Sequence, residues 1–220
     1  MDGSEVLNFG EFLIRRSDDM LELGLQHVAI VAISVAICSI LGIGLGAAVY
    51  RTDRAREVLL AAAGVTLTIP SFALFVLFIG PFGLGATPVV LALSLYGLLP
   101  ILRNTITGLR SVDPAIVESA RGMGMSRFRQ LTTIEFPLAW PVIITGIRVT
   151  TLILIGIAAI GNVVLGPGYG ELIFTGLARV GTPVGVNMVL AGIIGVMIVA
   201  VLYDIVLNLL RIFTTSKGIR

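Results

Sequence analysis

From Val58 to Leu102 the chain carries no charged residue, and from Val28 to Tyr50 it carries none either. A helix crossing a bilayer needs ~20 apolar residues at 1.5 Å of rise each. The Val28–Tyr50 run therefore supplies one span, and the longer run is too long for a single crossing. It is divided by Gly80-Pro81-Phe82-Gly83-Leu84-Gly85, a hairpin signal, into a second and a third. A fourth run starts at Pro137 and extends past Ala159, interrupted only by Arg148; a fifth runs from about Val184 to Leu210, with Asp204 near its end. The residues are 56% hydrophobic and 13% charged, where soluble domains carry about a quarter charged residues. The runs are continuous, unlike the alternation of transmembrane barrels. The expected fold is all-α and polytopic, with about five transmembrane helices.

Composition also excludes chemistry. The single Cys38 lies inside an apolar run and offers no disulfide framework. The sequence contains no metal-ligand spacing, no nucleophile–base set and no phosphate loop, so no catalytic residue, no metal and no cofactor are expected on this chain. No nucleic-acid partner is expected. Gly42, Gly44 and Gly46 fall within an uncharged span and read as helix packing. His27, Tyr50 and Trp140 read as residues at the membrane–water interface.

Basic residues set the orientation. If the Arg51–Glu57 loop, the Arg103–Glu135 insert and the C-terminus share one side, that side holds eleven of the fifteen basic residues. The other side holds Arg15, Arg16 and Arg179. The insert and C-terminus are therefore expected in the cytoplasm and the N-terminus outside. The first 26 residues carry six acidic residues beside Arg15-Arg16 and do not read as a secretory signal. Leu7, Phe12, Leu13, Met20, Leu21 and Leu23 suit an amphipathic helix on the outer surface, with a poorly ordered leader as the alternative. The expected divisions are an external segment at 1–26, a membrane domain at 27–213 and a cytoplasmic tail at 214–220.

Between Leu102 and Pro137 the chain turns polar. Asp113-Pro114 has the form of an N-cap followed by proline at the first helical position. Gly122 and Gly124 allow a sharp turn, and Ser126 caps a second short helix, Arg127 to Thr133, whose end meets Phe136-Pro137. Small Ser119, Ala120 and Gly124 would let a partner surface approach, with Arg121, Arg127 and Arg129 supplying charge. The competing reading is a solvated basic loop without a partner.

The spacing Glu118-Ser119-Ala120-x3-Gly124-x9-Ile134-x-Phe136-Pro137 resembles the EAA loop of permease subunits of bacterial ABC importers. Ser119 replaces the middle residue of that pattern and Phe136 its Leu. The segments Thr68–Leu74, Leu95–Leu109, Val112–Arg127 and Pro141–Arg148 are similar to permeases of osmoprotectant importers, which carry glycine betaine, carnitine, choline or proline betaine. The resemblance implies a type I importer permease fold in the bacterial cytoplasmic membrane. It implies a coupling loop at about 111–137 that docks on a cytoplasmic ATPase, which binds ATP and Mg, through Glu118, Ser119, Ala120, Gly124, Ile134 and Pro137. Arg127 and Arg129 are added as ATPase contacts from their charge. It implies a second permease subunit, as a homodimer or heterodimer, and an extracytoplasmic substrate-binding protein. The outer gate would occupy about 161–183, where Gly166, Gly168, Tyr169 and Gly170 lie in a segment too broken to span; a plain external loop is the alternative.

Within the membrane, Pro70 falls mid-span and is expected to kink its helix. Thr66, Thr68 and Ser71 stand ready to satisfy the freed carbonyl, in a translocation pathway for a small-molecule substrate or in an ordinary packing kink. Arg148 lies eleven residues after Pro137, near the bilayer centre, where an ionised group costs about 3 kcal/mol and faces protein or water. It lines the pathway, pairs with Asp204, or bonds to backbone. Other cargo for the same machinery includes ergothioneine or methionine. An ion-coupled secondary transporter would need inverted repeats and intramembrane charge relays, and only Arg148 and Asp204 qualify. A membrane scaffold would not need the spacing of the insert.

Overall fold

The structure, a computed structural model, describes residues 8–215. The expectations for residues 1–7 and for most of the 214–220 tail lie outside those residues. Short α1 (Phe9–Arg15) is capped by Asn8, whose side chain accepts from the Gly10 amide. It precedes α2 (Ser17–Val49), 33 residues without interruption. No break falls at residue 26, so Ser17 to Gln26 extend the first membrane helix. Asp18 and Asp19 lie in its first turn, where acidic side chains favour a helix N-terminus.

Next come α3 (Asp53–Thr68), α4 (Ser71–Phe82) and α5 (Ala86–Arg110). The kink expected at Pro70 is a full break. Helical bonding stops at Thr68 and resumes at Ser71, with Pro70 extended at ψ 137°. Proline lacks an N–H and disfavours the α conformation in the residue before it. Thr68 Oγ1 donates back to Val65 O at 2.7 Å. The turn into α5 is shorter than Gly80–Gly85. Gly83 and Gly85 take φ +76° and +108°, and Gly85 N–H donates to Val164 O at 2.8 Å.

After α6 (Pro114–Gly122) and α7 (Arg127–Gln130), a π-turn (Leu131–Glu135) leads directly into α8 (Phe136–Ile160). The second loop helix therefore does not end at Phe136-Pro137. The Phe136 amide bonds Leu131 O, five residues back, and Pro137, at the second position of α8, interrupts nothing. A 3-10 turn (Gly161–Val164), α9 (Gly170–Leu177) and α10 (Pro183–Thr214) complete the described chain. By length and composition, four helices of the described residues can cross a membrane, and α3 with α4 makes a fifth if the pair is one span.

The chain forms two compact units. One gathers residues up to Ser34 with Ile69–Ser94 and Leu152–Tyr203. Its fully buried side chains include His27, Val31, Phe75, Val89, Leu93, Leu154, Ile155 and Val164. His27 is thus a core residue, not an interfacial one: it is 0% exposed, with Nε2 3.1 Å from Ile155 O. The other unit gathers Val35–Thr68, Leu95–Thr151 and the chain from Asp204 on. Its core joins Tyr50, Ala63, Leu99, Leu102, Ile106, Leu109, Ala139 and Ile143. There a Cβ on Gly42 would lie 2.9 Å from Ile101 Cγ2, and one on Gly46 2.8 Å from Thr105 Cγ2. Two of the three glycines therefore let α2 and α5 approach closely, as small residues do between membrane helices; Gly44 meets open space.

Candidate functional site

The polar insert is built by local capping. Asp113 accepts from the Ala115 amide at 2.9 Å, so α6 starts at Pro114 as the sequence predicts. At its C-terminal end Gly124 takes φ +81°, a left-handed conformation that side chains disfavour. Its amide bonds Arg121 O at 2.9 Å, and the Met125 amide bonds Ala120 O at 3.1 Å. The Ser126 hydroxyl then caps α7 by accepting from the Arg129 amide. Inside the turn, buried Gln130 donates its Nε2 to Met125 O at 2.7 Å.

This folding sorts the motif residues into two faces. Glu118, Ser119, Arg121, Gly124, Arg127 and Arg129 are exposed, with Ile116, Met123 and Phe128 beside them; Phe128 is 76% exposed. Ala120 is 1% exposed, so the small surface expected of three residues is reduced to Ser119 and Gly124. Ile134 is half-buried and Pro137 exposed. The exposed residues thus combine three large apolar side chains with three arginines and Glu118.

Behind the loop lies a cluster that sequence reasoning missed. Glu135, the last residue of the π-turn, is 3% exposed. Its carboxylate accepts a hydrogen bond from the Tyr50 hydroxyl and two from Arg51 Nη2, at 2.9 and 3.0 Å. Tyr50 is therefore a buried donor, not an interface anchor. Burial first, and then the hydrogen bond to Glu135, push its phenol well above the usual tyrosine range. A raised pKa means the stabilisation from the neutral phenol is complete below the ordinary tyrosine value. It is lost progressively as pH climbs from there to the raised value. The legible signal was a lone carboxylate between Ile134 and Phe136, directly before a membrane run, which requires buried donors.

Within the spans, Arg148 pairs with Asp204 through two parallel bonds, Nε–Oδ1 at 2.6 Å and Nη2–Oδ2 at 2.8 Å. Among the three partners considered from sequence, the structure has the carboxylate. Both side chains are about a third exposed. Trp140 donates its indole N–H to Thr214 Oγ1 at 2.7 Å. At Pro70, Thr68 is exposed and Ser71 half-buried.

The glycine-rich segment is folded inward. Gly166, Gly168, Tyr169 and Gly170 are all buried. Tyr169 rests on glycines: a Cβ on Gly24 would lie 2.6 Å from its hydroxyl, and one on Gly195 2.6 Å from its ring. Gly168 has φ +113°, and a Cβ there would lie 2.7 Å from His27 Nδ1. Gly168→Ala is therefore expected to destabilise the protein by about 2 kcal/mol through strain and clash. Gly156→Ala, whose Cβ meets open space in α8, should be neutral or slightly stabilising. Thermal unfolding in detergent compares the two.

Long apolar helices with a capped polar loop between them define a polytopic α-helical membrane protein. Residues 39–211 match the family described as binding-protein-dependent transport system inner membrane component. The chain belongs to that family. It is 37% identical over 214 residues to the osmoprotectant import permease protein OsmW of Salmonella typhimurium, covering 95% of this chain and 98% of that one. It is 34% identical over 209 residues to the glycine betaine/carnitine/choline transport system permease protein OpuCB of Bacillus subtilis, covering 95% and 94%. It is 40% identical over 183 residues to the carnitine transport permease protein OpuCD of Listeria monocytogenes, covering 83% and 81%. Among solved structures, the fold matches an inward-facing MetNI methionine ABC transporter with a TM-score of 0.80 at 17% identity, covering 90% of this chain and 96% of that one. An amino acid ABC transporter crystallised with histidines matches with a TM-score of 0.73 at 15% identity, covering 93% and 98%. The protein is a multi-pass membrane permease with an ABC importer fold.

Proposed function

We propose that the chain forms the translocation pathway of an ATP-driven, binding-protein-dependent importer of osmoprotectants such as glycine betaine, carnitine, choline or proline betaine. The observation that carries this reading is the identity of 34% and 37% to OpuCB and OsmW over nearly the whole chain. It acts with a cytoplasmic ATPase that holds ATP and Mg, a second permease subunit and an external binding protein. It performs no chemistry itself and binds no cofactor. The excess of basic residues on the insert side supports a cytoplasmic insert and C-terminus and an external N-terminus.

The exposed face of α6, the Gly124 turn and α7 suit a docking surface. Exposed apolar side chains together with arginine are common at protein contacts. Glu118, Ser119, Gly124, Arg127 and Arg129 would meet the ATPase, while Ala120, Ile134 and Pro137 would hold the loop's shape. Thr68, Pro70 and Ser71 would belong to the pathway, and Gly166 to Gly170 to its outer gate.

Cargo is tested on the matching binding protein. Glycine betaine, carnitine, choline or proline betaine should raise its melting temperature by several degrees, as ligand in excess does. A response to methionine or ergothioneine with none to the quaternary ammonium compounds would overturn the osmoprotectant assignment.

A further inference from the structure

The Glu135 carboxylate is bonded by the turn after α2, and that turn is tied in its own right to the ends of α5 and α3. Tyr50 and Arg51 form the turn after α2, and the Arg51 guanidinium lies 5.1 Å from the Tyr50 ring centroid. From the end of α5, Arg110 Nη1 donates to Tyr50 O at 3.3 Å and to Asp53 Oδ1 at 3.1 Å. Asp53 opens α3 and also accepts from Arg56 at 2.7 Å. Glu135 itself stands at the root of α8. Beside the carboxylate lies a cavity of about 350 Å³, whose lining includes Glu118 and Arg121 of α6 together with Arg51 and Arg110. This cavity is a groove open to solvent, and exposed Glu118 and Arg121 of the motif share its lining with the buried, partnered Glu135.

The π-turn adds a mechanical argument. Its widened bonding sits between α7 and α8, and such turns cluster at functional sites. A push on α6 and α7 would be absorbed there unless something holds the far end of the turn. Glu135 is that far end. Its bonds to Tyr50 and Arg51 are charge-assisted; the Tyr50 bond is buried, which strengthens it, while the Arg51 side chain stays 34% exposed.

We infer that Glu135 is a positioning residue for coupling: its carboxylate latches the root of α8 to Tyr50–Arg51, so that displacement of the loop moves the ends of α2, α5 and α8 together. This rests on the reading of the loop as the ATPase docking element. Without the latch the π-turn yields, and hydrolysis continues without proportionate transport.

Glu135→Gln keeps the shape and removes the charge; Tyr50→Phe removes one donor from the same carboxylate. Both are compared in proteoliposomes in which the wild-type complex imports radiolabelled glycine betaine. Glycine betaine imported per ATP should fall about tenfold for Glu135→Gln and about threefold for Tyr50→Phe, the scale of losing a buried charged hydrogen bond. ATPase stoichiometry in the purified complex and hydrolysis without binding protein should stay at wild-type values. The double variant Glu135→Gln/Arg51→Gln should lose no more than Glu135→Gln alone, as expected for a pair that acts as one unit. Wild-type coupling in both single variants would overturn the latch, and so would a loss matched by equal loss of bound ATPase. The underlying docking reading fails separately, if Gly124→Trp, at a position outside that groove, leaves import per ATP unchanged in the same vesicles.

Discussion

Glu118→Lys and Gly124→Trp are each expected to cut substrate import at least about tenfold while the partner ATPase still hydrolyses ATP. Neither residue is held in the protein's interior. Glu118 is exposed, and a Cβ on Gly124 would meet nothing within 4 Å. A large effect at Gly124 therefore requires a partner, whereas Glu118 also borders the groove beside Glu135. The backbone contribution at Gly124 is separable. With φ +81°, Gly124→Ala should cost about 1 kcal/mol of local stability, and Gly124→Asn less, because Asn tolerates the left-handed region. A graded loss of coupling from Asn to Ala to Trp, with unfolding temperatures shifted by only a few degrees, is the expected pattern. Equal coupling in all three would place the docking surface elsewhere.

The second large effect concerns Arg148 and Asp204. Arg148→Met leaves the carboxylate without its guanidinium in an apolar setting, and Asp204→Leu leaves the guanidinium unpaired. Each single variant is expected to lose about tenfold in uptake and in yield of folded protein, since an unpaired ionised group within a span is unfavourable. The double variant Arg148→Met/Asp204→Leu should recover most of the yield, because replacing both charges with apolar groups of similar size is often neutral. Uptake kinetics of the double variant then decide the role of the pair. A KM close to wild type is the expected result and makes the pair a structural clasp between α8 and α10. A KM raised tenfold or more in well-folded double variant would mean that Arg148 touches cargo.

The apolar runs were legible because a bilayer admits only segments that satisfy their own backbone, and a span's length leaves a plain mark in sequence. The caps at Asp113 and Ser126 were legible because they are local. Features that depend on distant partners were not. Glu135 meets Tyr50 across 85 residues of chain, and nothing in the pattern around either residue names the other. His27 could not be placed from periodicity, since a helix apolar on every side does not distinguish lipid from protein as its surroundings. The start of α2 at Ser17 was hidden by Asp18, Asp19 and Glu22, which interrupt hydropathy without interrupting a helix. Phe136-Pro137 looked like a stop because proline usually breaks helices. The π-turn runs straight into α8, so Pro137 lies within a continuous helical run, next to the widened bonding of that turn. Ala120 was read as surface from its size alone, and the structure turns it inward.

The central claim is that this chain is the membrane half of an ATP-powered importer. The most direct measurement reconstitutes it with its cytoplasmic ATPase, its binding protein and any partner permease in sealed vesicles. Radiolabelled glycine betaine uptake is then followed with ATP present or absent on the ATPase side, with ion gradients collapsed by ionophores. The account predicts accumulation that requires ATP and the binding protein and is indifferent to the ionophores. Uptake that proceeds without ATP and stops when the ion gradient is collapsed would contradict it.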